Sequence, residues 1–234
     1  TYVWLNLKEQ LGLEVRVARS SDGETAPESL FSLADEHTKA VTVCHVDSGN
    51  GYRHDLKTIG TWCREHRIPF GVDATQACGA MQLDVKDMKI DFLTTSAYKW
   101  LQGIQGIGFA YIDKDFMKNL RQSEMGWANV KDRINGGPFD LIISKRACRF
   151  ENGGLPAIGL YGLHETVKTY RRLGGREIED YILDLTDYLY KEAGTLDGFS
   201  ISCPHQRACR SGLVSLNLPH GLGLTEARLR EAGI

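Results

Sequence analysis

The sequence predicts an α/β fold: a mostly parallel sheet flanked by helices, followed by the start of a small α+β C-terminal domain. Three observations lead there. Between about residue 15 and residue 112, short apolar runs alternate with helix-like stretches. Those runs are apolar nearly throughout, as in strands buried on both faces of a sheet. After Asp113 the rhythm gives way to a long polar segment and then to two helical patterns. In sheets of this kind, ligands bind at the carboxyl ends of the strands.

The expected strands are 14–18, 40–46, 69–74, 92–96 and 108–112. Asp55 reads as the N-cap of a helix, because Leu56, Ile59 and Cys63 follow it at helical spacing. Residues 122–156 are rich in Gly, Asn and polar groups, including Asn135-Gly136-Gly137-Pro138 and Asn152-Gly153-Gly154, and read as a long irregular segment of the kind that often carries function. Leu160, Leu163, Val167 and Tyr170 then mark one helix, and Ile178, Ile182, Leu185 and Leu189 a second, with Gly174-Gly175 between them. A strand at 212–218 and a short helix at 225–232 open the smaller domain, whose boundary falls between 155 and 156.

Composition narrows the function. The chain has 234 residues, 42% of them apolar and 25% charged, with a formal net charge of −2. That is ordinary for a globular protein and offers no basic footprint for nucleic acid or an anionic membrane. The six cysteines form no C-x-x-C pair, which argues against a metal site or a redox motif. Cys44, Cys63 and Cys78 fall in apolar patterns and read as reduced core thiols of a cytoplasmic protein. No apolar stretch reaches membrane-spanning length.

Chemistry concentrates at two strand ends. Phe70-Gly71-Val72-Asp73-Ala74-Thr75-Gln76 passes from an apolar run into an acid and an amide. Phe92-Leu93-Thr94-Thr95-Ser96-Ala97-Tyr98-Lys99-Trp100-Leu101 does the same with hydroxyls and an amine. A partly desolvated lysine forms Schiff bases with aldehydes, and the apolar flanks of Lys99 pin it between buried segments. Asp73 is either a turn aspartate or the partner of a cation, such as a protonated pyridine nitrogen. Gln76 can donate to a phenolate oxygen, and Ser96 and Tyr98 to a phosphate. Together these groups suit pyridoxal 5'-phosphate. His45 closes the run Val41-Thr42-Val43-Cys44, either as a structural residue or beside the ligand. Gly103, Gly106 and Gly108 precede a strand in the wrong order for a phosphate or dinucleotide loop, so their role reads as steric and a nucleotide-dependent oxidoreductase is disfavoured.

In order and spacing these segments resemble the class V aminotransferase family of fold-type I pyridoxal-phosphate enzymes, which includes cysteine desulfurases and isopenicillin N epimerase-like proteins. The matching text runs from His45-Val46-Asp47-Ser48-Gly49-Asn50-Gly51 through Val72-Asp73-Ala74-Thr75-Gln76 and Asp84-Val85. It continues with Asp91-Phe92-Leu93, Ser96-Ala97-Tyr98-Lys99-Trp100-Leu101 and Gly106-Ile107-Gly108-Phe109-Ala110-Tyr111-Ile112. It ends at Arg149-Phe150-Glu151-Asn152-Gly153.

The resemblance implies a large cofactor-binding domain over 1–155 and a helical connection with a partial small domain over 156–234. It implies that Lys99 takes the cofactor's aldehyde as a Schiff base and later shuttles a proton at the substrate's α-carbon. Asp73 would pair with the ring nitrogen, Gln76 with the ring hydroxyl, and Ser96 with the phosphate. It also implies a homodimer and an amino-acid substrate, with transamination or Cβ–sulfur cleavage as the chemistry. Tyr98 stands where many relatives have histidine, Ser48 where desulfurases have asparagine, Gly154 where threonine is common, and Ile104 where proline is common. By the same comparison both ends are missing. One end would bring a phosphate loop and a stacking aromatic, the other a carboxylate-binding arginine and a desulfurase's cysteine. Cys203 and Cys209 are therefore not assigned that cysteine's role. The alternative is a catalytically incomplete fragment without turnover.

Overall fold

A computed structural model describes residues 2–131, 142–202, 204, 206–219, 223 and 226–233. Helix α1 (Tyr2–Leu11) buries no residue, and a short helix α2 (Pro27–Phe31) follows with proline in its first turn. Strands β1 (Val41–Cys44), β2 (Phe70–Asp73), β3 (Phe92–Ser96) and β4 (Gly108–Ile112) form one sheet in the order β1-β2-β3-β4. The first three run parallel and β4 returns antiparallel to β3. The sheet is thus mostly parallel, as expected, and all four strands fall within the expected ranges.

Helix α3 (Leu56–Glu65) makes the crossover between β1 and β2. Asp55 caps it by accepting from the Thr58 N–H at 3.0 Å and from the Thr58 hydroxyl at 2.7 Å. Its buried face of Leu56, Ile59 and Cys63 packs on Phe70, Val72, Ile90 and Leu93 in the main core. Burial pushes the Cys63 thiol up to about 12, so this cysteine behaves as a small apolar residue. The amino ends of β2 and β3 are tied by Asp91, whose carboxylate accepts from the Phe70 N–H at 2.9 Å.

The strand expected at 14–18 does not form. Arg16 instead bonds Glu14 at 2.7 Å, Asp35 at 2.7 Å and the Leu33 carbonyl at 2.8 Å, holding this stretch as irregular chain without a sheet neighbour. Helix α4 (Lys114–Lys118) follows β4, capped by Asp113. In the expected irregular stretch, Asn129 is fully buried, and its amide donates to the carbonyls of Arg149 at 2.7 Å and Glu151 at 3.2 Å and to Asn152 Oδ1 at 3.0 Å. That one side chain organises the Arg149-to-Gly153 segment. Asn135-Gly136-Gly137-Pro138 lies outside the described residues.

Helices α5 (Ala157–Leu173) and α6 (Gly175–Ala193) are joined at Gly174, whose φ of +88° only glycine adopts without strain. Both reach back to the sheet. Leu163 of α5 packs on Ala97, Leu101 and Ile107, and Ile182 of α6 packs on Val46, Ala77, Ala80 and Met81. The stripe expected on α6 is rotated. Leu183 and Thr186 are buried, while Leu185 and Leu189 are exposed. On the side that meets the sheet, Glu179 pairs with Arg53 at 2.5 Å.

The final strand contracts to β6 (Leu216–Asn217), antiparallel to β5 (Ser200–Ile201), and helix α7 (Glu226–Glu231) follows. Thr225 and Cys203 lie outside the described residues. Among those residues no helix is long and apolar enough to cross a membrane.

Candidate active site

The carboxyl ends of three parallel strands meet on one side of the sheet. Cys44 pairs with Asp73 and Asp73 with Thr94, so His45, Asp73 and Ser96 all stand in the row where the strands stop. In β2 this placement follows from the sequence, an apolar run that emerges from the core at Asp73, whereas His45 after β1 stays buried. The backbone N–H of His45 donates to the Asp73 carbonyl at 2.8 Å, and that of Ala74 to the Thr94 carbonyl at 2.8 Å, closing the two ladders.

Asp73 emerges exposed after three buried residues, Phe70, Gly71 and Val72. The Thr75 N–H donates to its carboxylate at 2.9 Å and orients it. Residues 74–81 then coil tightly. The N–H groups of Ala77 and Cys78 donate to Ala74 O, and those of Ala80 and Met81 to Ala77 O. Ala74, Ala77, Ala80 and Met81 are buried, which leaves half-buried Gln76 on the open side.

Lys99 sits in the loop between β3 and β4. Ala97 anchors its start, with its N–H on Ile107 O at 2.9 Å and its carbonyl accepting from Gly103 N at 2.8 Å. Two of the three glycines of this loop act sterically: a Cβ on Gly108 would lie 2.5 Å from Thr95 O, and one on Gly103 3.0 Å from the Ala97 carbonyl, whereas Gly106 has open space around it and is instead set apart by its φ of +85°. Gly79 brings the two loops together. At φ +101° it lies so close that a Cβ would fall 2.7 Å from the Trp100 carbonyl carbon and 2.8 Å from Leu101 N. The turn carrying Gln76 and the loop carrying Lys99 are therefore in direct contact. The Lys99 amine lies 5.9 Å from the centre of the Tyr98 ring. Tyr98 is 46% exposed, and Ser96 and Lys99 are half-buried.

His45 differs from the others. Its ring is 3% exposed and its Nδ1 is buried without a hydrogen-bond partner. Burial, then the charge of Arg53, pushes its pKa down to about 3, so the ring stays neutral inside the core. Cys44 beside it is also held neutral, its thiol pushed up to about 11 by burial and then by Asp47. Thr75 and Gly79 were not assigned from the sequence. For Thr75 the available signal was its place inside the Val72-to-Gln76 motif. For Gly79 there was none, because its function lies in a contact with residues 100 and 101.

One side of one sheet thus offers a carboxylate, a carboxamide, two hydroxyls and an amine on touching loops. In kind, that donor set suits pyridoxal 5'-phosphate, whose ring nitrogen, hydroxyl, phosphate and aldehyde call for an acid, polar donors and an amine.

A mostly parallel sheet with a candidate ligand site at its strand ends, and a lysine in the loop before an antiparallel strand, defines an α/β scaffold. The family model for aminotransferase class-V matches residues 1–231, and the chain belongs to that family. A probable cysteine desulfurase of Methanothermobacter thermautotrophicus is 30% identical over 216 residues, 92% of this chain and 52% of that protein. One from Borreliella burgdorferi is 29% identical over 83% of this chain and 46% of its own length. An apo cysteine desulfurase from Thermococcus onnurineus NA1 superposes with a TM-score of 0.85 at 26% identity, covering 97% of this chain and 55% of that one. A C-DES mutant with glycine covalently linked to its PLP cofactor superposes at a TM-score of 0.89 and 21% identity, over 100% of this chain and 62% of that one. The chain spans about half the length of the curated relatives it matches.

Proposed function

We propose that this chain anchors pyridoxal 5'-phosphate through Lys99 and serves an enzyme that breaks a bond at or next to the α-carbon of an amino acid. The observation that carries this reading is the contact of two loops that bring Asp73, Gln76, Ser96 and Lys99 to neighbouring strand ends. When bound, the cofactor supplies an electron-accepting ring conjugated to the substrate's α-carbon.

The chain's own residues do the rest. Asp73 holds a proton on the ring nitrogen by facing it with a negative charge. Gln76 orients the ring through its hydroxyl, and the hydroxyls of Ser96 and Tyr98 bind the phosphate. The Lys99 amine holds the aldehyde carbon and, when free, moves the α-proton. The backbone N–H of His45 holds the strand end that presents Asp73 through the Asp73 carbonyl. The names of the relatives, probable cysteine desulfurases, favour cysteine as the substrate and sulfur release over transamination.

We infer two further properties. Exposed Tyr98, Ile104, Ile158 and Tyr161 form apolar surface around the lysine loop, with Ile104 close to Gly159 between them, and such surface favours a homodimer. Sedimentation showing only monomer in the presence of cofactor would count against it. The free, buried thiol of Cys63 favours a reducing, cytoplasmic compartment. Thiol titration in denaturant tests this, and protected cysteines would contradict it.

The central test is a titration with pyridoxal 5'-phosphate. The wild-type chain is expected to develop a saturable visible absorbance that borohydride fixes covalently on Lys99. Lys99→Ala removes it, and cysteine with excess dithiothreitol, which accepts the sulfur and supplies the two electrons that reduce it to sulfide, then gives alanine and sulfide only with protein carrying Lys99. Equal labelling of the Lys99→Ala protein would overturn the assignment.

A further inference from the structure

Thr75 lies between the two strand ends that carry the site, and its two hydrogen bonds go one to each. The parallel ladder of β2 on β3 closes with Ala74 N on Thr94 O at 2.8 Å. Beyond that point β2 has coiled away, while β3 continues against β4. The N–H of Ala97 donates to Ile107 O across the hairpin, so the preceding N–H, that of Ser96, points to the side β2 has vacated. An unpaired backbone N–H in that position is costly and leaves the strand end free to drift. The Thr75 hydroxyl accepts this N–H at 3.2 Å, in place of the missing ladder carbonyl. The Thr75 N–H meanwhile donates to Asp73 Oδ1 at 2.9 Å. One residue therefore holds both the acid ending β2 and the backbone of the hydroxyl residue ending β3.

We propose that Thr75 is a positioning residue that sets the spacing between the Asp73 carboxylate and the Ser96 hydroxyl. This rests on the pyridoxal-phosphate reading of the site. The ring nitrogen and the phosphate of that cofactor belong to one rigid molecule, so its two contacts form together only if the protein holds their partners at matching distance. At the amino ends of the same strands Asp91 does the equivalent work through the Phe70 N–H. Serine has the required acceptor. Valine has threonine's shape without it.

Thr75→Val and Thr75→Ser separate the hydroxyl from the packing. In amide hydrogen exchange without cofactor, Ser96 is protected in the wild type and in Thr75→Ser. It exchanges about tenfold faster in Thr75→Val, the equivalent of one lost hydrogen bond, while the amide of Ala74 keeps its protection. In titration with pyridoxal 5'-phosphate, Thr75→Val binds about tenfold more weakly and Thr75→Ser is close to wild type. Added to Ser96→Ala, Thr75→Val costs much less than it does alone, because the hydroxyl it positions is already gone. Unchanged Ser96 exchange in Thr75→Val, or fully additive losses with Ser96→Ala, would overturn the role. A wild-type chain that takes up no cofactor overturns the site reading and this role with it. That outcome shows in the wild-type titration and is distinct from a failure of Thr75 alone.

Discussion

At the scale of single residues, the buried imidazoles of His45 and His54 make the folded state sensitive to acid. His45 is nearly solvent-free, and its pKa is lowered from 6.5 to about 3 chiefly by desolvation. His54 is lowered by the same cause. A folded state with a depressed histidine pKa binds fewer protons than the unfolded chain. The contribution of His45 is therefore fully present above about pH 6.5 and is lost as pH falls from there towards 3, and that of His54 is lost in the same direction. The melting temperature should drop between pH 7 and pH 5, and His45→Gln should flatten that slope even if it lowers stability at pH 7. Parallel slopes in the two proteins would show that other groups control the acid response. The strand-end position of Asp73 was legible in the sequence because it ends an apolar run that must stop where its first polar group meets water. The importance of Asn129 was not, because a buried asparagine is recognised only by the three carbonyl partners that the fold brings to it.

At the scale of elements, two loops are pressed together and the contact is made at Gly79. Gly79→Ala would place a methyl group 2.7 Å from the Trp100 carbonyl carbon, on a backbone at φ +101° that alanine resists. The loop carrying Lys99 must then shift. The expected result is loss of cofactor binding by at least tenfold with the helical circular dichroism unchanged, because a misplacement of about 1 Å is enough to cost that much. Unaltered binding would mean that the two loops are not held by this contact. Strand prediction shows the same dependence on neighbours. The alternation in 14–18 resembles that in 40–46, yet only the second finds a partner in the sheet. Arg16 satisfies its charge on Glu14 and Asp35 instead. The reversed direction of β4 could have been read from the eleven residues between Ser96 and Gly108, too few to hold the crossover that a parallel partner needs.

Across the whole molecule, α6 is fastened to the sheet side by a nearly enclosed ion pair. Arg53 bonds Glu179 at 2.5 Å and also donates to the Ala208 carbonyl at 3.0 Å, while the other Glu179 oxygen accepts from the Gln82 N–H at 2.5 Å. Both side chains keep about 15% of their exposure, so the pair falls between a surface pair and a fully buried one. Glu179→Gln should cost about 2 kcal/mol in denaturant unfolding and open α6 to proteolysis before the sheet core. A variant within about 0.5 kcal/mol of wild type would show that packing of Ile182 and Leu183 alone seats the helix. The apolar stripe read for α6 meets the core only in part: Ile182 packs on it, while Leu185 and Leu189 face outward. Four leucines and isoleucines at helical spacing establish that a helix exists, but which of them are buried is decided by what packs across the interface.

By itself, the sequence determined the order and type of most elements and the family resemblance. It also determined the cluster of acid, amide, hydroxyl and amine at two strand ends. These are local properties: apolar runs must be buried and their polar ends must emerge. Only the tertiary structure decided how those ends are held in register. The Thr75 hydroxyl on Ser96, Gly79 against Trp100, and Glu179 on Arg53 each join segments between 21 and 126 residues apart. Such contacts leave no periodic mark in either segment, because their energy exists only when both are already in place.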